Sequence, residues 1–234
     1  MITAILFDLD GTLLPMDQDI FLKAYFGGLV KAMAPHGYDP DLVVKSIWAG
    51  TGAMINNDGT HTNEEVFWDS FCGFFGKDAR SDEPVFQKFY ETDFQKVSAV
   101  CGHDPRAKDT IREIREMGYR TILATNPLFP PIATRSRVHW AGLNPEDFEY
   151  ITTYDNSSSC KPNLRYYEEI LSRQGLSPAE CVMVGNDVGE DMIAESLGMK
   201  VFLLTDCLIN KSGEAIDRFP QGSFPELLEF IREL

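Results

Sequence analysis

No stretch of this 234-residue sequence approaches the roughly 18 consecutive apolar residues that a membrane-spanning helix requires. Nor does it open with a basic segment followed by a short apolar one, so no export signal is expected and the chain reads as a cytoplasmic protein. Cysteine is sparse. The five residues Cys72, Cys101, Cys160, Cys181 and Cys207 are odd in number, widely scattered and form no C-x-x-C pair. That argues against a disulfide framework and against a cysteine zinc site, and it fits a reducing compartment. Positive charge is short as well: 21 lysines and arginines face 36 acids, giving a net charge of −15 and a pI near 4.6. A chain so acidic offers no basic surface to nucleic acid or an anionic membrane, so neither is expected as a partner. Internal repeats and low-complexity runs are also missing. What remains is apolar material in quantity, 44% of the residues, enough to bury one large core or a core with a smaller appendage.

The stretch that organises the rest is Ile5-Leu6-Phe7-Asp8-Leu9-Asp10-Gly11-Thr12-Leu13. An apolar run over 2–7 delivers two carboxylates one residue apart, and side chains two apart on an extended chain share a face. The turn at Gly11 must follow at once. Two like charges at the mouth of a buried strand raise each other's pKa, so the pair calls for a divalent cation or a positive side chain.

Past Leu14 the texture becomes helical. Ile20, Phe21, Leu22, Tyr25, Phe26, Leu29, Val30 and Met33 recur at helical spacing; Asp39-Pro40 reads as a cap and first helical residue; Thr62-Asn63-Glu64-Glu65 has the form of a capping box; and a fourth helix is expected over 84–94. No alternation typical of strands interrupts 16–98, so a small helical bundle is expected there, with 50–61 as a candidate specificity loop. From Asp104-Pro105 onward strands and helices alternate, the sign of a parallel sheet with right-handed crossovers. Strands are expected over 120–124, 149–152, 181–184 and 200–204, with helices over 105–117, 130–140, 163–173 and 190–197 and a last one opened by the capping box Ser223-Phe224-Pro225-Glu226. With 2–7 this makes a doubly wound, Rossmann-like α/β sheet of five parallel strands.

In such sheets ligands sit beyond the carboxyl ends of the strands, so the residues found there matter most. The second strand ends in Thr125-Asn126, a hydroxyl and an amide that can hold phosphate oxygens without adding negative charge. After the third comes Lys161-Pro162, a lysine before a proline that is expected to start a helix. The fourth ends in Gly185-Asn186-Asp187, with Asp191 four residues on.

The nine-residue stretch around Asp8 resembles the first signature of the haloacid dehalogenase superfamily, an apolar strand followed by Asp-x-Asp-Gly-Thr, and the match is full. Thr125, Lys161 and the Asp187–Asp191 pair resemble its second, third and fourth signatures, in the same order along the chain. The resemblance implies an α/β catalytic core over 1–15 and 99–234, with an inserted α-helical cap domain over 16–98. It implies that Asp8 is the nucleophile, Asp10 the general acid and base, and Thr125, Asn126 and Lys161 the phosphate-stabilising groups. It also implies Mg2+ held by the Asp8 carboxylate, the Asp10 main-chain carbonyl and Asp187, with Asp191 behind them or touching the metal through water. Asp10 argues against halide displacement, because the dehalogenases carry another residue at that place. The expected activity is therefore magnesium-dependent hydrolysis of a small phosphorylated metabolite through an aspartyl-phosphate on Asp8. Transfer of the phosphoryl group to a second sugar hydroxyl, as in the family's mutases, stays open. So does a non-catalytic phosphoaccepting module similar to response-regulator receivers, although those are shorter and lack the insertion.

Overall fold

The computed structural model describes residues 1–75 and 79–234; the remaining three, inside the segment 16–98 expected to be helical, lie outside the described residues. Six strands form one sheet: β1 (Ala4–Phe7), β2 (Arg120–Leu123), β3 (Tyr150–Ile151), β4 (Cys181–Gly185), β5 (Lys200–Leu204) and β6 (Gln221–Gly222). They lie in the order β3-β2-β1-β4-β5-β6 and every pairing is parallel. The sequence suggested five. The sixth is a two-residue edge made by main-chain pairing to Leu203 and Leu204, too short to show any alternation of its own.

The order doubles back at β1: β2 and β3 extend to one side and β4, β5 and β6 to the other, which puts the switch point between β1 and β4. Phe7 is level with Leu123 on one side and Val184 on the other, so the residues following these three strands emerge side by side. Alternation along β1 splits the core into two layers. Ile5 and Phe7, with Val182 and Val184, pack under α5 (Pro105–Glu116) and α8 (Phe224–Arg232). Ala4 and Leu6, with Met183 and Leu203, pack under α7 (Leu164–Gln174).

Local signals account for most helix ends. Asp39 and Asp104 cap α2 (Pro40–Ile55) and α5 by accepting from Leu42 N and Arg106 N, and Glu65 reaches back to Thr62 N at 2.9 Å ahead of α3 (Asn63–Phe75). Four expectations need correcting. The segment 50–61 is not all loop: α2 runs on to Ile55, because Gly50 sits in the helix where a Cβ would come within 2.5 Å of the Phe67 ring, and the glycine lets α3 approach. The fourth helix, α4 (Glu83–Glu91), ends short of the expected 94, and a 3-10 helix, Asp93–Val100, continues the path. The helix expected over 190–197 is a 3-10 turn, Met192–Leu197. Finally, α7 begins at Leu164 because Asn163, accepting from Arg165 N at 3.0 Å, is its cap, so Pro162 precedes the helix.

Helices α1 (Gln18–Met33), α2, α3 and α4 (Glu83–Glu91) enclose a third, aromatic cluster containing Phe21, Tyr25, Phe71, Phe86 and Phe94. The chain enters and leaves this bundle at one place, where Gly102 N donates to Pro15 O at 2.6 Å. The bundle is also tied down at its far side. Asn63 N and Glu64 N donate to Ser157 O and Tyr154 O at 2.8 and 2.9 Å, anchoring the start of α3 to the loop that carries Lys161. Among the described residues no helix is long and apolar enough to cross a membrane.

Phe71 is fully buried, with the rings of Trp68, Phe75 and Phe86 centred 5.1–5.5 Å from its own. Phe71→Ala should therefore lower the unfolding free energy by about 3–5 kcal/mol in urea titrations. A loss below about 1 kcal/mol would show that the cluster is loosely packed.

Candidate active site

β1 ends at Phe7, and the ladder continues one residue further through Asp8 N, which donates to Val184 O at 2.9 Å. The chain then turns tightly, Gly11 N bonding Leu14 O and Leu14 N bonding Leu9 O, both at 2.8 Å. Gly11 has φ +84°, and a Cβ there would lie 2.3 Å from the Asn186 side chain. Only glycine satisfies both conditions. The turn aims Asp8 and Asp10 into one cavity, whose wall also includes Thr125, Asn126, Asn186, Asp187 and Asp191.

Behind Asp8 lies a buried ionic cluster. Lys161 Nζ donates to Asp8 Oδ1 at 2.9 Å and to Asp191 Oδ1 at 2.6 Å, and the lysine is only 2% exposed. Burial alone would pull its ammonium down, but Asp191 and Asp8 outweigh that and hold its pKa well above the ordinary lysine value. The lysine stays charged. It does not stand on the cavity wall, so it works from behind the two carboxylates. Asp191 Oδ2 accepts from Asp187 N at 3.0 Å, and the carboxylate fits because Gly185 leaves room: a Cβ there would lie 2.1 Å from it.

Around this cluster each predicted residue has a definite engagement. Thr12 Oγ1 lies 3.2 Å from Asp8 Oδ2 and 2.9 Å from Asn186 Oδ1, sharing its hydrogen between them. Asp187 Oδ1 accepts from Gly189 N and Glu190 N at 2.8 and 3.0 Å. Thr125 is buried, its carbonyl receiving the Thr152 and Tyr166 hydroxyls at 2.6 and 2.9 Å. The Asn126 amide is already occupied, donating to Glu190 Oε2 at 3.0 Å and accepting from Lys161 N at 3.2 Å. Asp8, Lys161, Asp187 and Asp191 thus share one hydrogen-bonded network, whereas Asp10 stands outside it.

Asp10 belongs to a second pair that sequence reasoning missed. Its Oδ2 is ion-paired to Arg137 Nη1, and the Arg137 side chain is wholly buried on α6 (Pro131–Trp140), 4.4 Å over the Phe129 ring. Asp10 Oδ1 is buried with no hydrogen-bond partner. Burial raises the Asp10 carboxyl above the usual range, against the lowering pull of Arg137. A signal was available: Ala133, Thr134, Arg137, Val138 and Ala141 share one buried helical face, so the arginine falls on a stripe where an unpaired charge is costly.

Among the described residues no group of three or more His, Cys, Asp or Glu side chains is arranged to hold a metal ion. The donors that face the cavity are hard oxygens, and the cations nearest the site, Lys161 and Arg137, are already shared with its carboxylates. Such a set fits magnesium, which takes one or two carboxylates and keeps several waters.

The sequence profile of haloacid dehalogenase-like hydrolases matches residues 2–194. Glyceraldehyde 3-phosphate phosphatase of Methanothermobacter thermautotrophicus is 29% identical over 115 residues, which span 49% of this chain and 50% of that one. This chain therefore aligns with about half of that relative's length. Phosphoglycolate phosphatase of Aliivibrio fischeri is 25% identical over 209 residues, covering 87% and 84% of the two chains. Among solved structures, 2-haloacid dehalogenase of Pseudomonas syringae pv. Tomato shares the fold with a TM-score of 0.63, at 20% identity over 100% of this chain and 99% of that one.

Replacing Lys161 by methionine would leave Asp8 and Asp191 facing each other without a cation. In chelator-treated buffer Lys161→Met should cost about 3–5 kcal/mol of stability in urea titrations, the penalty for stranding buried charge. An unchanged midpoint would show that the two acids are neutralised in some other way.

Proposed function

The chain belongs to the haloacid dehalogenase-like hydrolase family, and from that premise we propose that it is a magnesium-dependent phosphatase of small phosphomonoesters. The observation that carries this is the split engagement of Asp10, a residue of the cavity wall beside Asp8, with one carboxylate oxygen tied to Arg137 and the other buried and without a hydrogen-bond partner. A group fixed in direction, with a free oxygen and a raised pKa, suits proton transfer at an ester oxygen. The phosphatases among the relatives support the same reaction class.

Asp8 is the nucleophile, attacking phosphorus in line as the bond to the leaving alkoxide breaks. Asp10, protonated, gives its proton to that alkoxide; as carboxylate it then takes one from the water that hydrolyses the aspartyl-phosphate. Lys161 neutralises Asp8 and Asp191 from behind, and Thr125 and Asn126 line the phosphate position. Magnesium, which Asp8, the Asp10 carbonyl and Asp187 would hold, supplies charge neutralisation for the transferring phosphoryl oxygens. Asp191 positions Lys161 and the Asp187 main chain. In this proposal 16–98 is the cap and 1–15 with 99–234 the catalytic core.

Asp8→Asn should reduce magnesium-supported hydrolysis of 4-nitrophenyl phosphate by at least about a thousandfold. Activity retained in that variant would exclude Asp8 as nucleophile. Millimolar magnesium should raise the melting temperature of the wild type, since binding to the native state stabilises it, and should do so much less for Asp187→Asn. Arg137 lowers the Asp10 pKa, so in Arg137→Met the acid keeps its proton to higher pH. The limbs of the pH–rate profile that report Asp10 should then move alkaline by about 1–3 pH units. A shift toward acid, or none, would remove Asp10 from proton transfer.

A further inference from the structure

The cavity over Asp8 has a volume of about 340 Å³, toward the small end of the range for small-molecule sites. Its floor is the acidic site just described. Its other walls come mainly from the helical bundle and the loop before α6, and they are largely aromatic and aliphatic: Phe21, Phe26, Ile47, Trp48, Phe67 and Phe129 among them. Trp48 and Ile55 are 49% and 46% exposed although they are large apolar groups, and both face this cavity. Exposed apolar surface gathered in a concave wall beside a reactive centre is surface that a ligand would cover.

Charge on the wall points the same way. Six acids face the cavity, Asp8, Asp10, Glu83, Asp187, Glu190 and Asp191, against one cation among the described residues, Lys211. Lys161 and Arg137 are buried off the wall and committed to site carboxylates. A substrate carrying a second anion, such as a carboxylate, would bring it among acids with almost nothing to pair it, and desolvating an unpaired carboxylate is costly. A polyhydroxylated sugar would meet polar side chains such as Gln18, Thr51 and Gln87 but would set much of its surface, with the water held there, against rings.

Resting on the phosphatase reading, we infer that the substrate is the phosphomonoester of an uncharged, mainly apolar alcohol, whose carbon skeleton lies in the aromatic chamber while its phosphate meets Asp8. The chamber selects by burying hydrocarbon, and away from the phosphate-binding floor it offers a second negative charge only Lys211 among the described residues, with Glu83 on the same wall.

The test is steady-state kinetics with magnesium on two sets of alkyl phosphates, whose leaving alkoxides differ little in reactivity. One set is octyl, geranyl and 2-phenylethyl phosphate; the other is phosphoglycolate, glyceraldehyde 3-phosphate and glucose 6-phosphate. The apolar set should be favoured at least about tenfold in kcat/KM, the scale on which hydrophobic pockets discriminate. Trp48→Ala should reduce the ratio of octyl phosphate to phosphoglycolate kcat/KM by about tenfold, and Ile55→Lys, adding a cation to the wall, should move the ratio in the same direction. Both positions are half-exposed, so the fold should tolerate the changes. Preference for the anionic or sugar esters, or a ratio unmoved by both variants, would overturn the inference while leaving the phosphatase reading intact. Turnover of none of the six would overturn that reading and the inference with it.

Discussion

The site depends on one buried cation. Lys161 lies between Asp8 and Asp191, at 2.9 and 2.6 Å, and joins three segments that are far apart in sequence: the end of β1, the loop after β3 and the turn after β4. Carboxylates this well buried repel one another, and a shared cation offsets the cost of burying both. Both accept from the ammonium, and the strand ends that carry them are held together. The surrounding geometry follows from making room for this cluster. Gly185 has no Cβ because the Asp191 carboxylate occupies that space, and Gly11 turns left-handed where Asn186 closes over it.

Arg137 does something different for Asp10. Lys161 holds its acids from behind, but Arg137 takes only one oxygen of Asp10 and leaves the other buried without a partner. Both aspartates of the Asp-x-Asp pair are therefore compensated, by two different cations, Lys161 from the loop after β3 and Arg137 from α6, and they face different chemical environments. Burial and the neighbouring Asp8 push Asp10 toward its protonated form while Arg137 restrains it. A buried carboxyl held near its protonated form beside a second carboxylate is suited to proton transfer.

The helical bundle completes the cavity and, among the described residues, lends it one charged side chain, Glu83. Its aromatic cluster packs the bundle internally and also presents ring faces to the site. Hydrogen bonds from the start of α3 to the loop before Lys161 couple the position of those rings to the ionic cluster. Docking of the bundle and arrangement of the site thus draw on the same short loop, 154–161.

The parallel α/β fold, the helical insertion and the acids at the strand ends could be read from the sequence because their signals are local. Apolar runs of four or five residues, caps such as Asp39-Pro40 and Asp104-Pro105, and the Asp-x-Asp-Gly-Thr turn each act over a few residues and survive without tertiary context. What depended on distant partners was not legible. The sixth strand exists only because β5 offers an edge to pair with; α2 continues through Gly50, where the Phe67 ring packs against it; Asn126, which alone looks like a free phosphate ligand, is held by Glu190 and the Lys161 main chain. The Arg137–Asp10 pair is the sharpest case. These residues stand 127 positions apart, and nothing near either one in the chain names the other. Sequence alone determined which groups reach the carboxyl edge of the sheet, since strand periodicity and turn chemistry are properties of neighbours. Only the tertiary structure decided which charges compensate which, because burial and pairing are set by whatever the fold brings within a few ångströms.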